Sequence, residues 1–600
     1  MAKKKKIGAV ATMKSIKPAF WTANVLEAGE RLAYFGIRAV LPLMMVSDGV
    51  GGLGLSPAQK GAIFGLWALL QCLIPMVSGG FAESFGYKKS LFTAFTINIL
   101  GYLMMANILP IAHLITGTTE LNVGINFILM MIAGCTIGVG TAIFKPPVQG
   151  VVAQSLNEHN SGFGFGLFYW VVNVGGFLAP MVATALRGSD SDPTWSHVFY
   201  GAAIVTAINL LVTIFLFKEP AKKDAPKTND EKIEETQKKE GPVRVLIKTL
   251  KTLWDDKRML CFLLIVSGFW LMFMQLWDLL PNFLDEWVDR RDAGSVIAAL
   301  GITSWLESDG ALKPEMIINI DSAAIILFVL PLSAFFARYK MMTSLVLGMI
   351  ISVVGFIMSG MTMSGGMACL AIFIFAIGEI ICSPKFNEYI GMTAPEDKKA
   401  IYMGYSNIPF AVGWAAGNFL SGPLYQLFSS KEVLAKQYLL DNNVLTSAAM
   451  ENMKLADLMN AVQTHAGVAD VYAANEVLWN LYNPWIIWII LGAVGVVSMI
   501  ALICFYYKSG MYLRDEAGKK EDDNDTDETS SETTETADKS DFNAVTTENT
   551  DTEDKVAENT ISDAKENAEA EDKVEENSEL NVDSKENSES NDESEDKPVS

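Results

Sequence analysis

Long apolar runs separated by short polar connections dominate the first 508 of the 600 residues. An apolar run of about 18 or more residues is long enough to cross a bilayer as a helix. The pattern predicts an all-α membrane protein with twelve transmembrane helices, which we number as spans 1 to 12. Their expected positions are Val25–Val46, Ala58–Val77, Leu91–Leu109, Val123–Phe144, Phe163–Thr184, Val198–Phe217, Leu260–Phe283, Ile317–Phe336, Thr343–Thr362, Cys369–Phe386, Met403–Leu424 and Trp485–Phe505.

Lysines and arginines in the connections predict the orientation of the chain. With twelve spans they all fall on one side of the membrane, at residues 3–6, 88–89, 218–258, 338–340, 398–399 and 508. Such an excess marks the cytoplasmic side. Both termini are therefore expected in the cytoplasm, in a multi-pass protein of the cell (plasma or inner) membrane. One span more or fewer would break this agreement.

The spans form two groups of six. The predicted division is a bundle at 1–217, a cytoplasmic linker at 218–257, a second bundle at 258–508 and a tail at 509–600. This layout resembles that of major facilitator superfamily transporters. The connection from Gly79 to Lys89 also resembles the loop signature of that superfamily, with Glu83 in place of an aspartate.

Two extracytoplasmic segments, 286–315 and 429–483, are long and contain amphipathic helical patterns. One interpretation is that these helices lie on the membrane surface or cover the mouth of a transporter. The other is a surface that binds a partner. The first interpretation is the one that the pattern favours.

The acidic net charge of −22 belongs to the tail. Residues 516–600 hold 31 acidic residues and 8 lysines, whereas the first 515 residues hold 37 acidic and 38 basic residues. A tail so polar cannot bury enough apolar surface to offset the entropy of ordering, so we predict that it is disordered. Its partner, if it has one, is not identified by the sequence.

Enzymatic chemistry has no candidate residues in this chain. The six cysteines lie in apolar segments, and the four histidines lie in or beside loops without metal-ligand spacing. Glycine-rich pieces lack the lysine of a phosphate-binding loop. We expect no cofactor, no metal, no enzymatic activity and no nucleic-acid partner. The expected partners are a small-molecule substrate, protons and the lipid bilayer.

Span 1 contains charged residues that a membrane helix rarely tolerates. Glu27, Glu30, Arg31, Tyr34 and Arg38 are offset by 3, 4, 7 and 11 residues, which places them on one helical stripe. Each charge costs roughly 2.5–3.5 kcal/mol near the bilayer centre, so a functional role is the default interpretation. Snorkelling at a helix end could explain Glu27 but not four charges over three turns.

Other spans contribute isolated polar residues, and each has an alternative interpretation. Lys145 could snorkel to the cytoplasm, Asn173 could join two helices, and Asp321 could lie at the interface. Glu379 in span 10 is hard to explain structurally. Tyr169 shares a helical face with Asn173, and Ser383 shares one with Glu379. In span 7, Trp270, Met274 and Asp278 lie on one stripe. Together they predict a polar cavity lined from both halves, with more positive charge in the N-terminal half, which would suit a zwitterion.

Several motifs resemble the proton-coupled oligopeptide transporter family of the major facilitator superfamily. The pattern E-x-x-E-R-x-x-Y-[YF]-G appears as residues 27–36, and F-Y-x-x-I-N-x-G appears as residues 168–175 with Val172 for Ile. Lys145-Pro146 in span 4, residues 269–273 in span 7 and residues 378–384 in span 10 also match. The resemblance covers roughly residues 15–510.

The resemblance implies a role for each matching residue. Glu27, Glu30, Arg31 and Lys145 would form the salt-bridge set that takes up the proton. The carboxylate end and the backbone of a peptide would meet Tyr34, Arg38, Lys145 and Asn173. Tyr169 and Trp270 would also belong to the substrate-binding site. Glu379 with Ser383 would anchor its amino terminus.

Departures from the family pattern lie in the substrate pocket and the gate. Met274 stands where many members have an acidic residue of span 7, and Asp278 one turn later is a candidate replacement for gating or coupling. Asp321 stands at the place of a span 8 asparagine and is a second candidate for gating or coupling. Cys72 stands at the place of a span 2 tyrosine, and Tyr405-Ser406 at that of a span 11 tryptophan.

Three functions remain open from the sequence. The leading hypothesis is a proton-coupled symporter that imports di- and tripeptides by alternating access. The second is a proton-coupled transporter of another small charged organic solute, which the pocket departures favour. A remote third is a membrane receptor or scaffold that does not transport.

Overall fold

A computed structural model describes residues 13, 15–75, 86–156, 160–188, 193–219, 251–336, 338–393, 402, 405–451 and 453–509. Each of the twelve predicted spans contains a helix. The bounds are Pro18–Val46, Pro57–Leu73, Tyr87–Ala106, Val123–Ser155, Ser161–Arg187, Trp195–Phe215, Lys257–Phe273, Ile320–Phe336, Met341–Gly360, Gly365–Thr393, Asn407–Phe428 and Ile486–Lys508. The predicted all-α membrane fold is confirmed. Glu83 in the loop signature, most of the linker and the tail from residue 510 lie outside the described residues.

Nine helices in the described part of the chain are long and apolar enough to cross a membrane by length and composition alone. The helices of spans 1, 2 and 11 are not among these nine. Span 1 carries four charged residues, and the helix of span 2 has 17 residues. Both are nevertheless largely buried among other helices, which is where charged or short segments are tolerated in a membrane protein.

Span 2 begins at a well-defined capping motif. The Ser56 hydroxyl accepts a hydrogen bond from the Gln59 amide, and the Gln59 side chain accepts one from the Ser56 amide. Pro57 occupies the first helical turn, where its missing N–H costs nothing. This cap fixes where Lys60 enters the helix, one turn later.

Span 7 is not the continuous helix that its apolar run predicts. The helix ends at Phe273, a short helix follows at Gln275–Asp278, and a third begins at Leu280 and ends at Trp287. Pro281 lies in the first turn of the third helix. A proline inside a helix removes one hydrogen bond and clashes with the carbonyl four residues earlier, so the chain breaks before it.

The two halves meet most closely where span 2 packs against span 11. A methyl group on Gly61 would collide with the Asn418 carbonyl oxygen, and one on Gly422 would collide with the Pro57 carbonyl. Glycine therefore allows the two backbones to touch at this crossing. Span 5 also packs against span 8, and these two contacts bring the halves together.

The long segments after spans 7 and 11 are helical, as their patterns predict. Additional helices in the described segments are Ile108–Thr116, Arg291–Ala299, Pro314–Ile318, Lys431–Asp441, Ser447–Met450, Leu455–Ala466 and Val471–Tyr482, with a 3-10 turn at Thr303–Trp305. The Trp287 indole donates to the Ser429 carbonyl at 2.8 Å, and the Leu455 amide donates to the Asp48 carboxylate at 3.0 Å. These helices therefore cover the end of the molecule where spans 1 and 2 are joined.

Candidate functional site

The charged stripe of span 1 is buried and internally paired. Arg31 Nε lies 3.1 Å from Glu27 Oε1, and its Nη2 forms an ion pair with Glu30 Oε2. Pairing offsets the cost of removing these charges from water. One arginine is thus shared between two carboxylates, so a change in the charge of either carboxylate alters how the other is held.

Lys145 on span 4 lies near this cluster. Its positive charge acts on both Glu27 and Glu30, although the described residues contain no direct ion pair between Lys145 and either of them. The structure therefore brings together the four residues that the sequence proposed as a set. The lysine stands as the second cation beside two carboxylates.

Tyr34 is held by span 2 through residues that the sequence analysis did not single out. Its hydroxyl donates to Gln71 Oε1 at 3.0 Å, and the Trp67 indole donates to the same oxygen at 2.8 Å. The Arg31 guanidinium lies 5.4 Å from the centre of the Tyr34 ring. Gln71 is a buried amide in an apolar helix, and that was the signal that could have revealed it.

Arg38 is occupied by an ion pair that crosses between the halves. Its guanidinium bonds Asp278 Oδ1, and the other oxygen of Asp278 accepts from the Trp414 indole and from Asn418 Nδ2. Asp278 thus joins spans 1, 7 and 11. The sequence analysis looked for an aromatic residue of span 11 at Tyr405 and missed Trp414, which lies about two and a half turns later.

Lys60 is a second cation at this junction, and the sequence analysis missed it. It is 2% exposed, and its ammonium donates to the Asp278 carbonyl at 2.9 Å and to Asn282 Oδ1 at 2.6 Å. The amide of Asn282 in turn donates to the Pro42 carbonyl at 2.9 Å. The break in span 7 exposes the carbonyl that receives this lysine.

A third contact between the halves joins spans 5 and 8. Arg187 Nη1 lies 3.4 Å from Glu315 Oε1, which also accepts from the Thr184 hydroxyl at 3.1 Å. One turn later, Asn319 Nδ2 donates to the Phe177 carbonyl at 2.9 Å. All three contacts lie toward the end that the additional helices cover, so the halves are closed at that end.

Glu286 belongs to the same covered end, just beyond span 7. Its Oε2 accepts from the Tyr425 hydroxyl and from the Lys431 amide, both at 3.0 Å. Burial raises the pKa of Glu286 to about 7, because the carboxylate loses water that these two bonds only partly replace. Near pH 7, Glu286 is therefore protonated in a fraction of the protein molecules and ionised in the rest.

The C-terminal half supplies two acidic residues to the interior. Asp321 in the first turn of the span 8 helix is 1% exposed, and Glu379 of span 10 lies within hydrogen-bonding reach of it. Tyr169 of span 5, which is 47% exposed, lies close enough to interact with both. Asp321 is thus an interior residue and not an interfacial one.

The remaining predicted substrate contacts are Asn173, Trp270 and Ser383. Asn173 uses its amide to donate to the Tyr169 carbonyl on its own helix at 2.8 Å. The Trp270 ring packs 4.0 Å from that of Phe410, and its indole N–H has no hydrogen-bond partner among the described residues. Ser383 is partly buried one turn after Glu379.

The charges do not divide as simply as the sequence suggested. Arg31 pairs with two glutamates and Arg38 pairs with Asp278. Of the predicted cations in the N-terminal half, only Lys145 has no ion pair within the described part of the chain. The excess of positive charge expected there is neutralised in this conformation. Arg38 could meet a carboxylate of a solute only after Asp278 releases it.

Comparison with known proteins gives the chain its family. The model of the Major Facilitator Superfamily matches residues 28–418. Multidrug resistance protein MdtH of Klebsiella pneumoniae is 23% identical over 395 residues, which is 66% of this chain and 84% of MdtH. The uncharacterized transporter YclF of Bacillus subtilis is 28% identical over 208 residues, 34% of this chain and 38% of YclF.

A peptide transporter is also among the relatives. YePEPT of Yersinia enterocolitica is 27% identical over 197 residues, 32% of this chain and 34% of YePEPT. The matched regions thus span little more than a third of YclF and YePEPT. The match to the superfamily model confirms the resemblance that the motifs indicate, and the low identities mark the chain as a divergent member.

Solved structures with the same fold include transporters of different solutes. A POT family transporter in complex with 5-aminolevulinic acid has a TM-score of 0.56 at 17% identity, covering 83% of this chain and 99% of that one. A mutant of the nucleoside transporter NupG has a TM-score of 0.55 at 14% identity, covering 81% and 100%. At such identities the likeness shows the fold alone. The family match, the all-α fold and the apolar helices together show that the chain is a multi-pass membrane transporter, not an enzyme, and that it belongs to the major facilitator superfamily.

Proposed function

We propose that this transporter is a proton-coupled symporter that imports di- and tripeptides by alternating access. The observation that carries the proposal is the buried pair Glu27 and Glu30 on one shared arginine, beside Lys145. Protonation of either glutamate would change the charge balance of the cluster inside the protein. That is the event that a proton gradient can drive.

Peptide recognition is supported by the charges of the two halves. Glu379 and Asp321 offer negative charge to an ammonium group, and Lys145 offers positive charge to a carboxylate. Arg38 would join Lys145 when the ion pair with Asp278 opens. A zwitterion suits this distribution of charge, and the family motifs in spans 1, 4, 5 and 10 support a peptide as that zwitterion.

Alternating access is supported by the contacts at the covered end. Arg38–Asp278, Lys60–Asn282 and Arg187–Glu315 all join one half to the other. We assign that end to the outside of the cell (plasma or inner) membrane, with both termini in the cytoplasm, from the positive charge of the opposite connections. Breaking these contacts would open the path for an entering solute.

The coupling is tested by uptake of labelled dialanine into proteoliposomes under an inward proton gradient. One proton moving down 100 mV supplies about 2.3 kcal/mol, or roughly fiftyfold accumulation of a neutral solute. Glu27→Gln and Glu30→Gln are expected to abolish uptake driven by the gradient and to retain part of the exchange of solute. Glu120→Gln, an exposed change outside the spans, is the matched control. Unchanged gradient-driven uptake in both span 1 variants would reject the coupling assignment.

A second candidate is transport of another small charged organic solute on the same scaffold. Met274 and Cys72 favour it, because both replace polar residues of the peptide-transporter pattern with apolar ones. MdtH is named a multidrug resistance protein and NupG a nucleoside transporter, so similar chains are named for other solutes. Gradient-driven uptake that dialanine and trialanine fail to inhibit, but that a different charged solute inhibits, would favour this candidate.

A further inference from the structure

Asp321 and Glu379 form an acidic pair with no cation beside it in the described part of the chain. Asp321 Oδ1 and Glu379 Oε2 are both buried and lack a hydrogen-bond partner there. The two carboxyl groups lie within hydrogen-bonding reach of each other. Asp321 is 1% exposed, so water cannot replace the missing partner.

Two carboxylates at this separation cannot both be charged without help, and they share one proton when nothing else is bound. The groups that face them are Tyr169 from span 5 and Cys382 beside Glu379. Neither is a cation at neutral pH. The pair therefore holds one negative charge and one proton, and it leaves two buried acceptors directed at no protein group.

We propose that Asp321 and Glu379 form a paired-carboxylate subsite that accepts two positive charges, so that the transporter prefers peptides whose first residue carries a second ammonium group. This inference rests on the proposed peptide function. A ligand with one ammonium leaves the shared proton in place. A ligand with two ammonium groups, separated enough that both are charged at neutral pH, displaces that proton to water, and each carboxylate then receives its own charge-assisted hydrogen bond.

The test compares binding of dialanine with that of ornithyl-alanine, a diamino peptide whose two separated amines are both charged near pH 7, to the purified full chain by calorimetry. We expect the diamino peptide to bind about tenfold tighter or more, since one added bond between charged groups is worth roughly 1.5–3 kcal/mol. In Asp321→Asn the advantage of the diamino peptide should be lost, so that the two peptides bind alike. Asp457→Asn, an exposed acid in the helix Leu455–Ala466, should behave as the wild type does.

Equal binding of the two peptides by the wild type would overturn the proposal, and so would an advantage of the diamino peptide that survives in Asp321→Asn. Absence of binding by either peptide to folded protein would reject the peptide function itself. The subsite is then tested without peptides, by labelling of its carboxyl groups with dicyclohexylcarbodiimide, which reacts with protonated carboxyls. 1,4-Diaminobutane, which carries two charges near pH 7, should protect the segment that contains Glu379 more strongly than butylamine does. Equal protection would overturn the paired subsite.

Discussion

At the scale of single residues, the buried charges of this protein are held by partners that lie far along the chain. Asp278 is 240 residues from Arg38 and 140 from Asn418. Removing one member of a buried pair leaves an uncompensated charge, which costs more than the pair itself contributes. The effect of a mutation therefore depends on what remains behind.

We expect Arg38→Gln and Asp278→Asn to be strongly coupled. Each single change should lower the free energy of unfolding by about 3–5 kcal/mol, because it leaves the other charge buried and unpaired. The double variant should lose less than the sum by about 1–3 kcal/mol. Thermal unfolding of the purified protein measures all three. A cycle of Arg38→Gln with Asp457→Asn should be additive, and additivity in the first cycle would contradict the ion pair.

The raised pKa of Glu286 predicts a pH dependence of stability. The folded protein binds this proton more tightly than the unfolded chain, whose glutamate has its usual pKa near 4.5. The stability due to neutral Glu286 is therefore complete below about pH 4.5 and is lost as the pH rises through about 7. Between pH 5 and 8, the wild type should lose up to about 3 kcal/mol relative to Glu286→Gln.

The melting temperature of both proteins, measured across this pH range, checks the prediction. Glu451→Gln changes an exposed glutamate in a connection of the covered end and serves as the control. It should follow the wild type at every pH. Parallel curves for wild type and Glu286→Gln would show that Glu286 ionises as an exposed residue does.

At the scale of helices, glycines decide how closely neighbours approach. Gly360 ends the span 9 helix against the buried ring of Trp488 in span 12, and a methyl group there would overlap the ring. A methyl group on Gly166 in span 5 would have no other atom within 4 Å among the described residues. The two residues have the same chemistry and a different role, which only packing distinguishes.

Gly360→Ala should therefore destabilise the protein by about 1–3 kcal/mol, because the span 9 and span 12 helices must move apart. Gly166→Ala should have no cost, or a gain of about 0.4–1 kcal/mol from the stiffer unfolded chain. Melting temperatures of the two variants, each in the same detergent, provide the measurement. Equal effects of the two substitutions would contradict the packing described for Gly360.

At the scale of the whole molecule, the structure has one closed end. Ion pairs, hydrogen bonds and the helices between residues 431 and 482 join the halves there. The acidic tail follows the last span in the sequence. Residues 516–600 have a net charge of −23, and this composition predicts that they stay solvated.

Deletion of residues 516–600 should leave gradient-driven uptake within about twofold of the full chain, because the composition of the tail predicts no packing against the bundles. Proteoliposome uptake with equal amounts of reconstituted protein measures this. Loss of uptake in a truncated protein that melts as the full chain does would favour a role of the tail in transport. It would also revive the scaffold hypothesis.

The sequence by itself determined the helices and the charged stripe. Apolar run lengths predict the twelve spans, and the offsets of Glu27, Glu30, Arg31 and Arg38 place four charges on one face, because both depend on the local period of a helix. The family motifs are equally local. These features required no knowledge of which helix lies beside which.

The tertiary structure decided which charges meet and where a helix breaks. Arg38 meets Asp278, Lys60 meets Asn282, and Asp321 meets Glu379 through contacts between helices that are distant in sequence. The break in span 7 depends on Pro281 and on Lys60, whose ammonium donates to the freed Asp278 carbonyl. Local periodicity places a side chain on a face of its own helix, but packing alone chooses the helix that the face meets.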